Sequence, residues 1–378
     1  MTAINSVTTQ SSAPASGDEL YDRIRDIVRN DLKPLTVKID REGFYPADLL
    51  RRLGTAGAFR QHLASQNGRG EYDLPAALQV MDIISQECMS TGFMVWAQDV
   101  ACWYVEMSGN DYLKEHLLPK LASGEALGGT ALSNPMKYMA GIEPLHLSAV
   151  ETDDAYIVNG KLPWISNLDD GHWFGSIFKV TGDGSRDVMA MVNTGWDGLE
   201  MKRLATFAGM EGTGTYALHF NDVRVPKSHV VGDPLLPYLK KMKAGFILLQ
   251  TGMATGLIDG CIQLCEEVEP RLSHVNCYLD DRPDELREEL DDAREAIAEL
   301  CSTPFNPDPE YTRTVLEARL LGGELCLRAA NSAMQHTGAN GYLVDAPAQR
   351  KLREACFVAI VTPAIKHLRK ELDAMAVC

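Results

Sequence analysis

The hydrophobic period of this chain changes twice, and that switch limits the possible folds more than any other feature. Apolar residues recur at helical spacing up to about residue 125, fall into short β-branched and aromatic runs from 126 to about 233, and return to helical spacing from 234 onward. A chain written in this order predicts an α+β multidomain protein: an all-α N-terminal domain at 19–125, an antiparallel β-barrel or sandwich at 126–233, and a C-terminal helix bundle at 234–378. In the first region, Ser16-Gly17-Asp18-Glu19 offers a capping box, after which Leu20, Ile24, Ile27, Val28 and Leu32 share one helix face. In the second, LHLSAVETD, AYIVNGKLPWISN, WFGSIFKVTG, DVMAMVNTG and TYALHFNDVRV are separated by Gly, Asp and Asn turns. Asn159-Gly160 is the strongest hairpin signal, because a two-residue type I′ turn needs positive φ at both positions. Residues 1–18 are small and polar, without a basic start or an apolar stretch, and read as a disordered tail, not a signal peptide.

Charge and cysteine usage narrow the partners. The 378 residues carry 36 Lys+Arg against 52 Asp+Glu, a formal charge of -16, so the averaged field repels DNA, RNA and anionic lipid. Neither nucleic acid nor a membrane is an expected partner. No run approaches the roughly 20 apolar residues of a membrane helix, the longest lying near FVAIVTPAI at 357–365. The 9 Cys are odd in number and lack a CxxC or His cluster, which reads as reduced, cytoplasmic usage with no metal site. The GxxxxGK[ST], HExxH, GxSxG and EF-hand motifs are missing. Gly209, Gly212 and Gly214 precede a strand instead of a helix, so they read as a turn and not a dinucleotide loop.

Four segments in order carry a more specific signal: ALSNP at 131–135 after LPKLASGEALGGT, NGKLPWISN at 159–167, FNDVRVPKSHVVGD at 220–233, and MQHTGANGYLVDAPAQRKLREA at 334–355. Together they resemble the acyl-CoA dehydrogenase superfamily of flavoproteins, over roughly residues 19–370. The resemblance implies a helical domain, a β-domain and a four-helix bundle, bound FAD, and assembly as a homo-oligomer, a tetramer or dimer. It implies that Thr130, Ala131, Leu132 and Ser133 meet the flavin pyrimidine, and that Trp164, Ile165 and Ser166 pack on the dimethylbenzene and N5 side. A core aromatic after a hairpin is the plainer reading of Trp164. Gln335, His336, Thr337 and Gly338 match the loop that contacts the adenosine diphosphate of FAD in a neighbouring subunit, while Tyr342 and Arg353 match structural positions.

The resemblance breaks where the chemistry should be. Family dehydrogenases remove an α-proton with a Glu while the β-hydrogen leaves as hydride, and the Glu position counted from Arg353 holds Thr362, which cannot serve as a base near neutrality. The alternative base position falls near Gly245. Asp99, in WAQDVACW beside Gln98, is either a relocated base or a capped or exposed carboxylate. Asn134 replaces a family Glu, and only Arg271 is available, out of register, for the FAD phosphate. Three functions are therefore expected: dehydrogenation of an acyl thioester on CoA or a carrier protein, coupled to an electron acceptor; a flavin-dependent monooxygenase served by a flavin reductase; or a non-catalytic subunit of a heteromeric enzyme.

Overall fold

Leu20, Ile24 and Ile27 are all buried on α1 (Gly17–Ile27), as the helical period demands. A computed structural model describes residues 17–182, 184–203 and 206–376; the Ser16 cap falls outside them. The helical region continues through α2 (Thr36–Glu42), α3 (Ala47–Ala56), α4 (Leu74–Glu87), α5 (Met89–Met107), α6 (Asp111–His116) and α7 (Leu118–Ser123). Asp73 caps α4 by accepting from the Ala76 N–H at 3.0 Å. Every residue of α5 is buried, which makes it the central post of the molecule.

The middle region contains β1 (Gly128–Thr130), α8 (Ser133–Met139), β2 (Leu147–Glu151), β3 (Ala155–Ile165), β4 (Trp173–Val180), β5 (Arg186–Asn193), β6 (Leu199–Lys202), β7 (Tyr216–Pro226) and β8 (Val230–Gly232). The sheet runs β6-β7-β3-β2-β4-β5-β8, with β1 beside β4. It is mixed, not wholly antiparallel as the period-two runs suggested: β4 is parallel to both β2 and β1. The cause is the short connection at 166–172: with β7 on the outer edge of β3, β4 takes the free edge of β2, starts at the end where β3 stops and runs back against β3, which is the direction of β2.

Asn159-Gly160 is no hairpin. The β2–β3 turn lies earlier, closed by the Thr152 N–H on the Ala155 carbonyl at 2.9 Å, and Asn159-Gly160 sits inside β3. Opposite it β7 carries an extra residue, with Asp222 at φ 53, and the register shifts between Val158 and Gly160. Asn159 braces the bulge, accepting from the Asp222 N–H at 2.9 Å and donating to Asp222 Oδ1 at 2.8 Å. Gly160 has φ 136, and any Cβ there would meet the His146 carbonyl at 2.3 Å. The glycine meets a backbone approach, not a turn.

The last region comprises α9 (Leu235–Asn276), α10 (Pro283–Cys301), α11 (Pro309–Thr337), α12 (Pro347–Ile360) and α13 (Ile365–Ala376). Contrary to the sequence reading, α9 is long and apolar enough to cross a membrane; its apolar window is wholly buried within the fold, as in a core helix. Helix α12 ties the regions together. Lys351 donates to the Gln86 carbonyl at 2.6 Å and Arg350 to the Glu87 carbonyl at 2.8 Å, while Glu354 accepts from the Met89 N–H at 3.1 Å. These buried charges supply the partners left orphaned where α4 ends and α5 begins. Arg353 forks onto Asp40 at 2.7 and 2.6 Å and donates to the Ala208 carbonyl at 3.0 Å, joining α2, α12 and the loop after β6.

Candidate active site

A second bulge makes the site. Between Leu162 and Ile165 the β3–β7 register shifts again, this time with the extra residue on β3, and Trp164 adopts φ 64. A bulky residue with positive φ is a strained choice, and bulges re-aim side chains. The Trp164 indole is turned out of the sheet and left 48% exposed, edge-on to Phe207. Its neighbour Ile165 points the other way, buried in the sheet core. Strand β1 lies directly on this segment, since a Cβ on Gly129 would come within 2.2 Å of the Ser166 carbonyl.

Beyond β1 the chain turns into α8, and Thr130, Leu132 and Ser133 line a cleft of about 420 Å³ together with Trp164, Ser166 and Thr362. The cleft lies between the sheet on one side and α5, α9 and α12 on the other, where Phe93, Trp96, Phe246 and Phe357 form an aromatic wall. Most of its polar side chains carry hydroxyls. Thr130 Oγ1 lies 2.6 Å from the Tyr104 hydroxyl, Ser133 Oγ 3.0 Å from Thr362 Oγ1, and Ser166 Oγ 2.6 Å from Thr215 Oγ1. The Ser133–Thr362 pair bridges the two walls. Lys137 is the single ionisable side chain among the described lining residues, 3.4 Å from Glu143. A second hollow of about 440 Å³, lined by Met136, Met139, Met242 and Met375, shares Leu132 and Phe246 with the first. Over it α13 is fastened by Lys370 on the Ala140 carbonyl at 2.6 Å and by Glu371, which Lys243 and His367 contact at 3.0 and 2.7 Å.

The sequence-predicted residues divide cleanly. Thr130, Leu132, Ser133, Trp164, Ser166 and Thr362 meet in the cleft. Asp99 does not. It is fully buried in α5, outside the cleft lining, with both carboxylate oxygens unpartnered and His62 Nδ1 at 3.9 Å. Burial raises the Asp99 pKa and lowers that of His62 to about 4. Gly245 has no room for an acid, since any Cβ would collide with the Trp103 indole at 2.4 Å. Gln335 and Gly338 stand at the end of α11, away from the cleft lining, with open space beside Gly338. Thr213, Thr215 and Phe246 line the cleft without a sequence signal: they come from a 3₁₀ turn and a helix middle whose patterns read as structure.

Residues 15–125 match the acyl-CoA dehydrogenase N-terminal domain. The probable acyl-CoA dehydrogenase YngJ of Bacillus subtilis is 25% identical over 352 residues, covering 89% of this chain and 91% of that one. The first domain is thus an acyl-CoA dehydrogenase N-terminal domain, and the chain is similar to acyl-CoA dehydrogenases over most of its length. Butyryl-CoA dehydrogenase from Megasphaera elsdenii has the same fold, with a TM-score of 0.82 at 17% identity over 99% of this chain and 100% of that one. So has the prolyl acyl carrier protein oxidase AnaB, with a TM-score of 0.80 at 17% identity over 96% and 99% of the two chains.

Similarity to acyl-CoA dehydrogenases implies FAD, and the cleft fits a flavin on its own evidence. An exposed indole held in a strained bulge offers a ring face without a neighbour to cover it. Hydroxyls at Thr130, Ser133 and Ser166 can serve a polar ring edge, and the Trp96 indole N–H in the opposite wall has no partner.

Proposed function

We propose that this chain binds FAD with the isoalloxazine in the cleft and oxidises an acyl thioester there across its α and β carbons. One observation carries the reading: Trp164 and Ser166 from β3, Thr130 and Ser133 from the β1–α8 corner, and Thr362 from the end of α12 line a single cleft. When bound, FAD supplies the two-electron oxidant that takes the β-hydrogen as hydride. Trp164 would cover the ring, and the hydroxyls of Thr130, Ser133 and Ser166 would satisfy its heteroatoms. Gln335 and Gly338 would serve the adenosine diphosphate end from a second copy of the chain. The aromatic wall of Phe93, Trp96, Phe246 and Phe357 excludes water from the acyl group.

Proton removal is where this cleft departs from its relatives' pattern. Neither Ser133 nor Thr362 can accept a carbon-bound proton at neutral pH, although together they can orient a thioester oxygen. Substrates would therefore need an α-hydrogen acidified by their own substituents enough for a water molecule or a basic group of the substrate itself to take the proton. CoA and a carrier protein are both suitable carriers, the second supported by the likeness to the prolyl carrier-protein oxidase.

Purified protein should be yellow, and its flavin absorbance should bleach under anaerobic titration with an acyl thioester bearing an electron-withdrawing α-substituent. Protein that stays colourless with added FAD refutes the reading. The charge-poor cleft also favours a second function, oxygenation with electrons from a flavin reductase, which needs no α-proton base. Bleaching only by a reductase, followed by oxygen from O2 in the product, would select that function instead.

A further inference from the structure

We propose that Arg319 is a positioning residue for the cleft: it fixes the Gln250 amide, which anchors the Thr362 backbone and so holds the Thr362 hydroxyl against Ser133. This deepens the flavin reading above and rests on it. Arg319, on α11, is 1% exposed and has no acidic partner among the described residues. Its Nε donates to Gln250 Oε1 at 2.8 Å and one Nη to the Val358 carbonyl at 2.8 Å, while the other Nη has no partner. Gln250, on α9 and equally buried, donates through Nε2 to the Thr362 carbonyl at 2.9 Å. Thr362 Oγ1 then lies 3.0 Å from Ser133 Oγ at the opposite wall.

The order of these contacts is dictated by chemistry. A guanidinium can only donate, so it selects the oxygen end of the Gln250 amide and turns the NH2 end toward Thr362. Thr362 lies between the end of α12 and the start of α13, so its carbonyl falls outside both helical ladders. The amide supplies that missing donor. Burial lowers the Arg319 pKa to about 10, which leaves it a cation at neutral pH. A buried cation without a counter-ion is costly to keep, far more so than a neutral brace for α12 would be. Its position behind the wall of a cleft that lines no carboxylate explains the choice: it orders Thr362 without placing a charge among the reactants.

The variants Gln250→Glu and Arg319→Lys separate positioning from packing. Glutamate gives Arg319 an ion-pair partner, so the fold holds, but it turns an acceptor toward the Thr362 carbonyl. We expect Q250E to keep its melting temperature and FAD affinity and to lose about tenfold or more in the limiting rate of anaerobic flavin reduction, with KM little changed. R319K still donates to Gln250 and should retain most of the rate. Wild-type rates in Q250E, or equal losses in both variants, would overturn the proposal. A wild-type protein that binds no flavin or is never bleached would instead sink the functional reading itself, so the two failures are distinct.

Discussion

The two ends of α12 use polar residues in opposite ways. Near its start Arg350, Lys351 and Glu354 are buried against the break between α4 and α5, each bonded to a backbone group there. Past its other end, Thr362 presents a hydroxyl to the cleft, and Lys137 is the only ionisable group among the described lining residues. Full charges hold the domains together; neutral dipoles face the ligand. The contrast teaches that along α12 desolvated charge goes to assembly, and that whatever proton chemistry occurs in the cleft is not driven by a carboxylate among the described lining residues.

The sharpest way to break the comparison is at the charged end. Glu354→Ala removes the acceptor for Met89 N–H and the fully buried one of the two carboxylates 3.8 Å from Arg350, leaving it only the partly exposed Glu87, so denaturant unfolding should show a loss of about 3 kcal/mol. Loss of less than about 1 kcal/mol would mean the charges do not weld the domains.

Asp99 and His62 form a second enclosed pair, and pH reads it out. In the native state burial favours one proton between them, on either residue, and the unfolded chain also holds one between pH ~4 and ~6.5. The pair therefore contributes little slope in that window. In Asp99→Asn only His62 titrates, with its native pKa about 4, below the unfolded value. The stability it contributes is complete above pH ~6.5 and declines as pH falls toward 4, by up to about 3 kcal/mol. His172 and His229, also lowered by burial, slope the same way in both proteins, so the difference between the two curves isolates Asp99. Flavin reduction rates in Asp99→Asn should match wild type; a collapse would return Asp99 to the chemistry.

Moving charge to the neutral end sharpens the contrast. Thr362→Glu should raise the anaerobic reduction rate with a simple straight-chain acyl-CoA by about 100-fold, the usual contribution of a positioned base. No gain would show that a carboxylate there cannot reach the substrate. Smaller still is the effect expected of Trp164→Ala, about a tenfold weaker Kd for FAD by equilibrium dialysis, in line with the loss of one aromatic stack.

The order of helical, strand and helical regions was legible because the apolar period follows backbone geometry directly. Site residues were legible where a motif carried them: Ser133, Trp164, Ser166 and Thr362 meet in one cleft. Asp99 was ambiguous because α5 is buried on every face, so periodicity cannot say which side chains reach a cavity. Asn159-Gly160 misled for a related reason. A hairpin dipeptide and a bulge partner both want glycine, and only the strand opposite decides between them. The segment of α9 reads as helix, but its membrane-length apolar window was not legible because Gln, Thr, Gly and Asp interrupt the aliphatic run, and Arg319 and Gln250 read as ordinary helix residues until three helices were brought together.

The paired bulges have one more consequence. The extra residue at Asp222 displaces β7 by one step against β3, and the extra residue at Trp164 restores it, so Ile165 faces Tyr216 on the same alignment as Ala155 faces Pro226. The misalignment is confined to a few rungs and vanishes on either side. An aromatic can thus be swung out of a continuous ladder with no tilt passed on to neighbouring strands, and shortening one strand alone by a single residue should be far more damaging than shortening both.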